Sequence, residues 1–160
     1  MSKVVNTGEI LIEPFLPEDQ AAVKALILAG LVEHWGRLDA SKNPDLDDIA
    51  SSYAYGTFLV ARQAGQVIGT GALVPRSENT GQIVRMSVAA SQRRLGTGRL
   101  ILENLLVCAR RAGMKEVILE TTAAWTGVIE FYKNAGFELT HYQGGDAYFR
   151  LGLEARTGSS

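Results

Sequence analysis

The stretch IVRMSVAASQRRLGTGRLIL, residues 83–102, joins an apolar strand to an apolar helix through a basic turn that contains Gly96 and Gly98. A helix N-terminus carries N–H groups without partners and a partial positive charge. The two glycines leave this backbone open to a ligand because they have no Cβ, and Arg93 and Arg94 add positive charge beside it. An isolated G-x-G turn is more often a solvated basic loop, but its place between a strand and an amphipathic helix favours an anion site.

Two familiar phosphate motifs do not account for this turn. A P-loop needs the pattern G-x-x-x-x-G-K-[ST], which the sequence lacks. A dinucleotide fingerprint needs G-x-G-x-x-G directly after a strand, but Ile101 occupies the position of the third glycine. A nicotinamide-dependent enzyme is therefore only a distant alternative.

Strands and helices alternate on both sides of the turn, which predicts an α/β (α+β) fold. Strands are predicted over residues 9–16, 57–63, 67–74, 82–88, 115–122, 137–143 and 146–153, and helices over 17–35, 43–54, 96–112 and 124–136. We expect apolar faces on two helices and one strand. The first helix would bury Ala22, Ala25, Leu26, Ala29 and Val32, and the third would bury Ile101, Leu102, Leu105, Cys108, Ala109 and Ala112. On the fourth strand, Val84, Met86 and Val88 would share one face, opposite Ile83, Arg85 and Ser87.

Composition limits the function classes. A chain of 160 residues suits one domain, which we expect over residues 1–153, with a disordered polar tail at 154–160. Its net charge of -1 does not favour nucleic acid as a partner. The N-terminus lacks the apolar core of a signal peptide and no apolar run suits a membrane span, so we expect a cytoplasmic protein without a membrane partner. Cys108 is the single cysteine, which excludes an intrachain disulfide and a multi-cysteine metal site; on an apolar helix face it is a structural thiol rather than a nucleophile.

The segment 83–102 resembles the acetyl-CoA-binding core of the GNAT superfamily of N-acetyltransferases. That superfamily carries R/Q-x-x-G-x-G/A between its fourth strand and third helix, and residues 93–98 read RRLGTG here. The segment FYKNAGF, residues 131–137, is similar to the part of the family that closes the active site, and the order of elements fits along nearly the whole chain. The resemblance implies a mixed, twisted, mostly antiparallel sheet that splays between strands 4 and 5, with helices on both faces.

The resemblance also implies the cofactor and how the chain binds it. Acetyl-CoA (coenzyme A) would lay its pantetheine arm along the open edge of the fourth strand and its pyrophosphate on the N–H groups of the glycine turn, with no metal involved. The implied cofactor-binding residues are Met86, Ser87, Val88, Arg93, Arg94, Leu95, Gly96, Thr97, Gly98 and Arg99. One backbone N–H of the strand would polarise the thioester carbonyl.

In such an enzyme a neutral amine attacks the acetyl group directly in a ternary complex. Tyr132 matches the family tyrosine that protonates the leaving thiolate, although two adjacent aromatic residues are also typical of simple packing. Glu120 in the fifth strand is the first candidate for the base, with Glu33, His34 or water as alternatives. Glu33 and His34 end the first helix, where the family builds its acceptor site.

Five points stay open at this level. Arg85 interrupts an apolar strand, and it pairs either with a carboxylate of the protein or with one of a substrate. Trp125 stands where many relatives have an asparagine that contacts the cofactor, which leaves side-chain contacts of that helix uncertain. The acceptor is a small-molecule amine or a peptide or protein amine. The chain is a monomer or a homodimer. A non-catalytic acyl-CoA-binding module is the main alternative to an enzyme.

Overall fold

A computed structural model of the chain describes residues 9–36 and 42–153, apart from the side chain of His34. The strands are β1 Ile10–Pro14, β2 Thr57–Gln63, β3 Gln66–Pro75, β4 Thr80–Val88, β5 Glu116–Thr122, β6 Glu138–Gln143 and β7 Asp146–Gly152, and the helices are α1 Gln20–Trp35, α2 Ile49–Ser52, α3 Thr97–Arg111 and α4 Thr126–Asn134. The predicted tail at 154–160 lies outside the described residues.

The predicted helix over 43–54 is wrong in its length. A 3-10 turn, Pro44–Asp47, and the short α2 occupy this region. Asp48 separates them, because its backbone is extended (φ -150°, ψ 86°) while its carboxylate accepts from the N–H of Ser51 at 3.2 Å. An aspartate that caps a new helix in this way ends the preceding one.

The strands form one seven-stranded sheet in the order β1-β2-β3-β4-β5-β7-β6. Neighbouring strands are antiparallel except β4 and β5, which are parallel and pair at three positions only, Thr80–Glu116, Gly81–Val117 and Gln82–Ile118. Beyond Gln82 the two strands part. The predicted mixed, mostly antiparallel sheet with a gap between strands 4 and 5 is confirmed.

Helices cover both faces of the sheet, as predicted, and each face has its own core. On one face α1 buries Val23 and Ile27 against a cluster completed by Leu46, Ile49, Phe58, Val60 and Ala72. On the other, α3 and α4 pack on a cluster that includes Ile101, Leu102, Leu105, Leu119, Tyr132 and Phe149. The apolar face predicted for α3 is confirmed at its centre, since Ile101, Leu102, Leu105 and Ala109 are buried.

The apolar face predicted for α1 is wrong. Ala22, Ala25 and Ala29 are exposed and Val32 is 40% exposed, whereas Val23 and Ile27, each one or two positions further on, are buried. Almost every residue from Ala21 to Val32 is apolar, so the sequence pattern does not distinguish the buried side of this helix.

The alternation predicted along β4 is also wrong, because a β-bulge interrupts the strand. Thr70 pairs with Ser87 and Ala72 pairs with Val84, so two residues of β4 lie opposite Gly71. Arg85 adopts the left-handed region (φ 57°) at this point. As a result Val84 packs in the core under α1, while Met86 and Val88 pack in the core under α3.

Candidate active site

Two cavities meet where β4 and β5 part. The smaller cavity (about 410 Å³) extends toward α1, with Ile27, Gly30 and Leu31 in its wall. The larger cavity (about 730 Å³) extends toward α3 and α4, with Gly96, Gly98 and Phe131 in its wall. Both are lined by Met86, Ser87, Val88, Arg93, Trp125, Val128 and Tyr132.

The edge of β4 that faces the gap is available for backbone hydrogen bonds beyond Gln82, where the ladder with β5 ends. The N–H of Ala89 donates to the carbonyl of Ile68 at 2.9 Å, on the side of β3. Successive N–H groups of a regular strand point to opposite edges, so that of Val88 faces the gap, whereas the bulge at Arg85 and Met86 interrupts the alternation. An open strand edge of this kind can hydrogen-bond to an extended ligand chain, and the predicted contacts at Met86 and Val88 stay a prediction.

The turn before α3 has the features of an anion site. Gly96 caps the helix in the left-handed region (φ 90°), no side chain of the described residues caps it, and its first turn contains no acidic residue. A Cβ on Gly96 would have no atom within 4 Å, and one on Gly98 would lie 3.5 Å from Val88 and 3.6 Å from Phe131, inside the lining of the larger cavity. The N–H groups of the turn are therefore accessible to a phosphate.

The arginines of the turn differ in their partners. Arg94 is exposed, lines the larger cavity and makes no ion pair with any described residue, whereas Arg99 pairs with Glu103 along α3 at 3.0 Å. Arg93 is bound in a bidentate pair by Glu33 of α1, with N–O distances of 2.7 and 2.6 Å. This pair raises the pKa of the Arg93 guanidinium.

Tyr132 lies at the junction of the two cavities. Its ring is buried against Phe131, Phe137 and Phe149, with centroid distances of 5.0, 5.7 and 5.9 Å. Burial raises the pKa of the phenol well above its usual value of about 10. Burial therefore favours the neutral, protonated form of the hydroxyl.

Two carboxylates line the smaller cavity, Glu120 on β5 and Asp146 at the start of β7. Glu120 lies opposite Tyr148 in the β5–β7 ladder. The pKa of the Tyr148 phenol is raised, first by desolvation and to a smaller extent by the negative charges of Glu120 and Asp146. Neither carboxylate forms an ion pair within the described part of the chain. The wall near β5 is therefore negatively charged.

Arg85 pairs with a carboxylate of the protein. Its guanidinium donates to both oxygens of Asp45 at 3.0 and 2.7 Å and to Asn43 at 3.1 Å, and the hydroxyl of Tyr53 also donates to Asp45 at 2.6 Å. Burial by itself raises the pKa of Asp45, but the bonds from Arg85 and Tyr53 outweigh it and leave that pKa below its usual value. Burial and the hydrogen bond to Asp45 raise the pKa of Tyr53 to about 12. Arg85 still lines the smaller cavity, so its predicted contact with substrate stays a prediction.

Comparison with known proteins identifies the family. The sequence model of the Acetyltransferase (GNAT) family matches residues 22–137, which is more than half of the chain. The chain belongs to the GNAT family of acetyltransferases. N-acetyltransferase family 8 member 2 of Rattus norvegicus is 36% identical over 106 residues, which cover 61% of this chain and 47% of the rat protein. The GNAT chain thus spans about half the length of the curated relatives it matches.

Solved structures show the same fold at lower identity. A GNAT-family acetyltransferase from Staphylococcus aureus Mu50 superposes with a TM-score of 0.84 at 20% identity, covering 91% of this chain and 100% of that one. The PaiA N-acetyltransferase of Thermoplasma acidophilum, solved in complex with coenzyme A, superposes with a TM-score of 0.76 at 20% identity, covering 91% and 99%. At this identity the likeness establishes the fold.

Most of the predicted site residues lie together in this GNAT domain. Those lining at least one cavity are Arg85, Met86, Ser87, Val88, Arg93, Arg94, Gly96, Gly98, Arg99, Glu120 and Tyr132. Leu95 is 64% exposed and Thr97 is fully buried, and neither lines a cavity. Glu33 reaches the site through Arg93, and the side chain of His34 lies outside the described part of the structure.

Several lining residues were not predicted from the sequence, namely Thr121, Thr122, Val128, Phe131, Asn134 and Asp146. Asp146 enters the smaller cavity because β7 pairs with β5, opposite Thr122, and no local pattern indicates that pairing. Trp125 lines both cavities and contacts Trp35 of α1, with ring centroids 5.6 Å apart. Among the described residues, no helix is long and apolar enough to cross a bilayer, and no three His, Cys, Asp or Glu side chains are grouped as metal ligands.

Proposed function

We propose that the protein is an acetyl-CoA-dependent N-acetyltransferase that acetylates a primary amine by direct attack in a ternary complex. The observation that carries this proposal is the meeting of two cavities at Tyr132, beside the open edge of β4. One cavity leads to the anion-binding turn and the other to a negatively charged wall. A donor and an acceptor can therefore enter from opposite sides and react at the junction.

The larger cavity suits coenzyme A. Backbone N–H groups around Gly96 and Gly98, with the guanidinium of Arg94, would hold the diphosphate. The N–H groups of Met86 and Val88 would bind the pantetheine arm along β4. The coenzyme A complex of the Thermoplasma acidophilum relative supports this assignment.

The smaller cavity suits a cationic acceptor. Four charged side chains of the described residues line it, and both of the arginines, Arg85 and Arg93, are already paired with carboxylates of the protein. Glu120 and Asp146 leave a net negative field, which attracts the ammonium form of an amine. A free amine with a pKa near 10.4 is protonated at neutral pH, so this field raises its local concentration.

The residues at the junction supply the proton transfers. When bound, acetyl-CoA supplies the acetyl group as a thioester, whose carbon–sulfur bond breaks as the amine forms its carbon–nitrogen bond. Glu120 takes the proton that the ammonium must lose, directly or through water. The N–H group of β4 at the gap stabilises negative charge on the carbonyl oxygen, and Tyr132 donates a proton to the departing thiolate.

Ligand binding tests the donor. Acetyl-CoA at about one hundred times its Kd adds about 2.7 kcal/mol to the free energy of unfolding, which raises Tm by about 5–10 °C in a domain of this size. Pantetheine, which lacks the diphosphate, should give a much smaller rise. An equal rise with NAD, or none with acetyl-CoA, would refute the assignment.

The Tyr132→Phe variant tests catalysis. It keeps the ring packing and removes the hydroxyl, so acetyl-CoA binding should persist while turnover falls by about 10²–10⁴-fold. Thiol release should be measured from pH 6 to pH 10 with an alkylamine, a diamine, an amino acid and a short peptide. Tyr142→Phe is the control, since Tyr142 is an exposed residue of β6. An unchanged rate in Tyr132→Phe would make Tyr132 a packing residue, and acetyl-CoA binding without turnover of any amine would indicate a binding module.

A further inference from the structure

The guanidinium of Arg93 is bound by Glu33 of α1, although it lines the larger cavity beside the glycine turn. Two of its nitrogens donate to Glu33 at 2.7 and 2.6 Å, and its Nε lies 3.4 Å from the carbonyl oxygen of Val88. A bidentate carboxylate is among the strongest partners of a guanidinium. A diphosphate at the turn would have to displace Glu33 before Arg93 could bind it.

The neighbouring arginine is better placed for the diphosphate. Arg94 lines the larger cavity alone, whereas Arg93 lines both cavities. Arg94 has a left-handed backbone (φ 66°), and it makes no ion pair with the described residues. The two arginines therefore differ in their contacts: both line the larger cavity, but only Arg93 also lines the smaller one and pairs with α1.

Glu33 belongs to the last turn of α1, the helix that supplies a wall of the smaller cavity. Trp35, two residues further on, contacts Trp125 with ring centroids 5.6 Å apart. Arg93 follows β4 and Trp125 follows β5. The end of α1 is thus attached to both halves of the sheet across the gap.

We propose that Arg93 is a positioning residue for the acceptor: with Glu33 it fixes the C-terminal end of α1, the helix whose residues Ile27, Gly30 and Leu31 line the smaller cavity. In this role it does not bind the diphosphate of the donor. This inference rests on the proposed function, because it assigns the smaller cavity to the amine. It separates two adjacent residues of the glycine motif by function, Arg93 acting on acceptor binding and Arg94 on donor binding.

The experiment compares Arg93→Gln, Glu33→Gln and the matched control Arg94→Gln. Calorimetry measures the Kd of acetyl-CoA, and thiol release measures KM for the amine of the panel above that reacts fastest. We expect Arg94→Gln to weaken acetyl-CoA binding by about tenfold or more, as for a lost charged hydrogen bond. Arg93→Gln and Glu33→Gln should leave that Kd within about twofold but raise the amine KM by about three- to tenfold, in keeping with a partly exposed ion pair that acts through position.

The exchanged pair, Glu33→Arg with Arg93→Glu, tests the contact itself. It should restore the amine KM toward the parent value, which neither single substitution does. The inference is overturned if Arg93→Gln weakens acetyl-CoA binding as much as Arg94→Gln does, or if the amine KM is unchanged in both single variants. If the parent protein neither binds acetyl-CoA nor acetylates any amine, the proposed function itself fails, and the two failures are thereby distinguished.

Discussion

The Asp45→Asn variant tests whether the bulge in β4 depends on its ion pair. Asp45 accepts two bonds from Arg85 and one from Tyr53, and Arg85 has the left-handed backbone that forms the bulge. That conformation is unfavourable for a residue with a Cβ, by about 1–3 kcal/mol. The amide keeps the shape of the carboxylate but leaves the guanidinium without its counter-charge.

The exposed fractions of the two side chains set the size of the effect. The exposed fraction is 19% for Arg85 and 28% for Asp45, so the pair is neither fully buried nor exposed. Breaking a buried pair costs about 3–5 kcal/mol, and an exposed pair contributes about 0–1 kcal/mol. We expect Asp45→Asn to lower the free energy of unfolding by about 2 kcal/mol, or Tm by about 4–8 °C in a chain of this length.

Thermal unfolding followed by circular dichroism at pH 7 measures the change, and Asp47→Asn is the matched control. Asp47 pairs with Lys24 at 2.8 Å, but its side chain is 72% exposed, so its loss should shift Tm by no more than about 2–4 °C. Equal shifts in the two variants would show that the Asp45 pair contributes no more than a surface contact, and the link between this network and the bulge would be wrong.

Two further predictions concern the turn and acid stability. Gly98→Val should remain folded, because its Cβ meets neighbours such as Phe131 at ordinary distances. It should nevertheless reduce acetyl-CoA affinity strongly, because the new side chain fills part of the larger cavity. Calorimetry on the folded variant measures the affinity, and an unchanged value would refute the prediction. Hydrogen bonds from Arg62 hold the pKa of Asp19 below its usual value, and the pKa of Asp45 is also lowered. The stabilisation of the fold by each carboxylate is therefore present above about pH 3.9 and is lost as the pH falls through its folded-state pKa. Acid titration of Asp19→Asn should therefore show a shallower fall in stability below about pH 4 than the parent protein does; an identical slope would contradict it.

The parts of the fold that the sequence predicted are those set by local periodicity. The buried side of α3 follows from the spacing of Ile101, Leu102 and Leu105, because polar residues mark its other side. In α1 almost every position is apolar, so the choice of Val23 and Ile27 depends on the sheet beneath them. Tertiary packing decides what a uniform pattern leaves open.

The candidate site divides in the same way. The turn around Gly96 carries a motif in consecutive residues, so it could be located from the sequence. Arg85 at the bulge pairs with Asp45, forty residues away in the chain, and Asp146 reaches the smaller cavity only through the pairing of β7 with β5. Long-range contacts of this kind leave no trace in a local pattern.

The three-rung ladder between β4 and β5 creates a strand edge in the middle of a sheet. An exposed edge is a template on which strands of other molecules add, and proteins prevent such aggregation by covering it. Here α1 and α4 flank the opening, and the contact between Trp35 and Trp125 bridges it. The side chains that line the two cavities thus also cover the open strand edge.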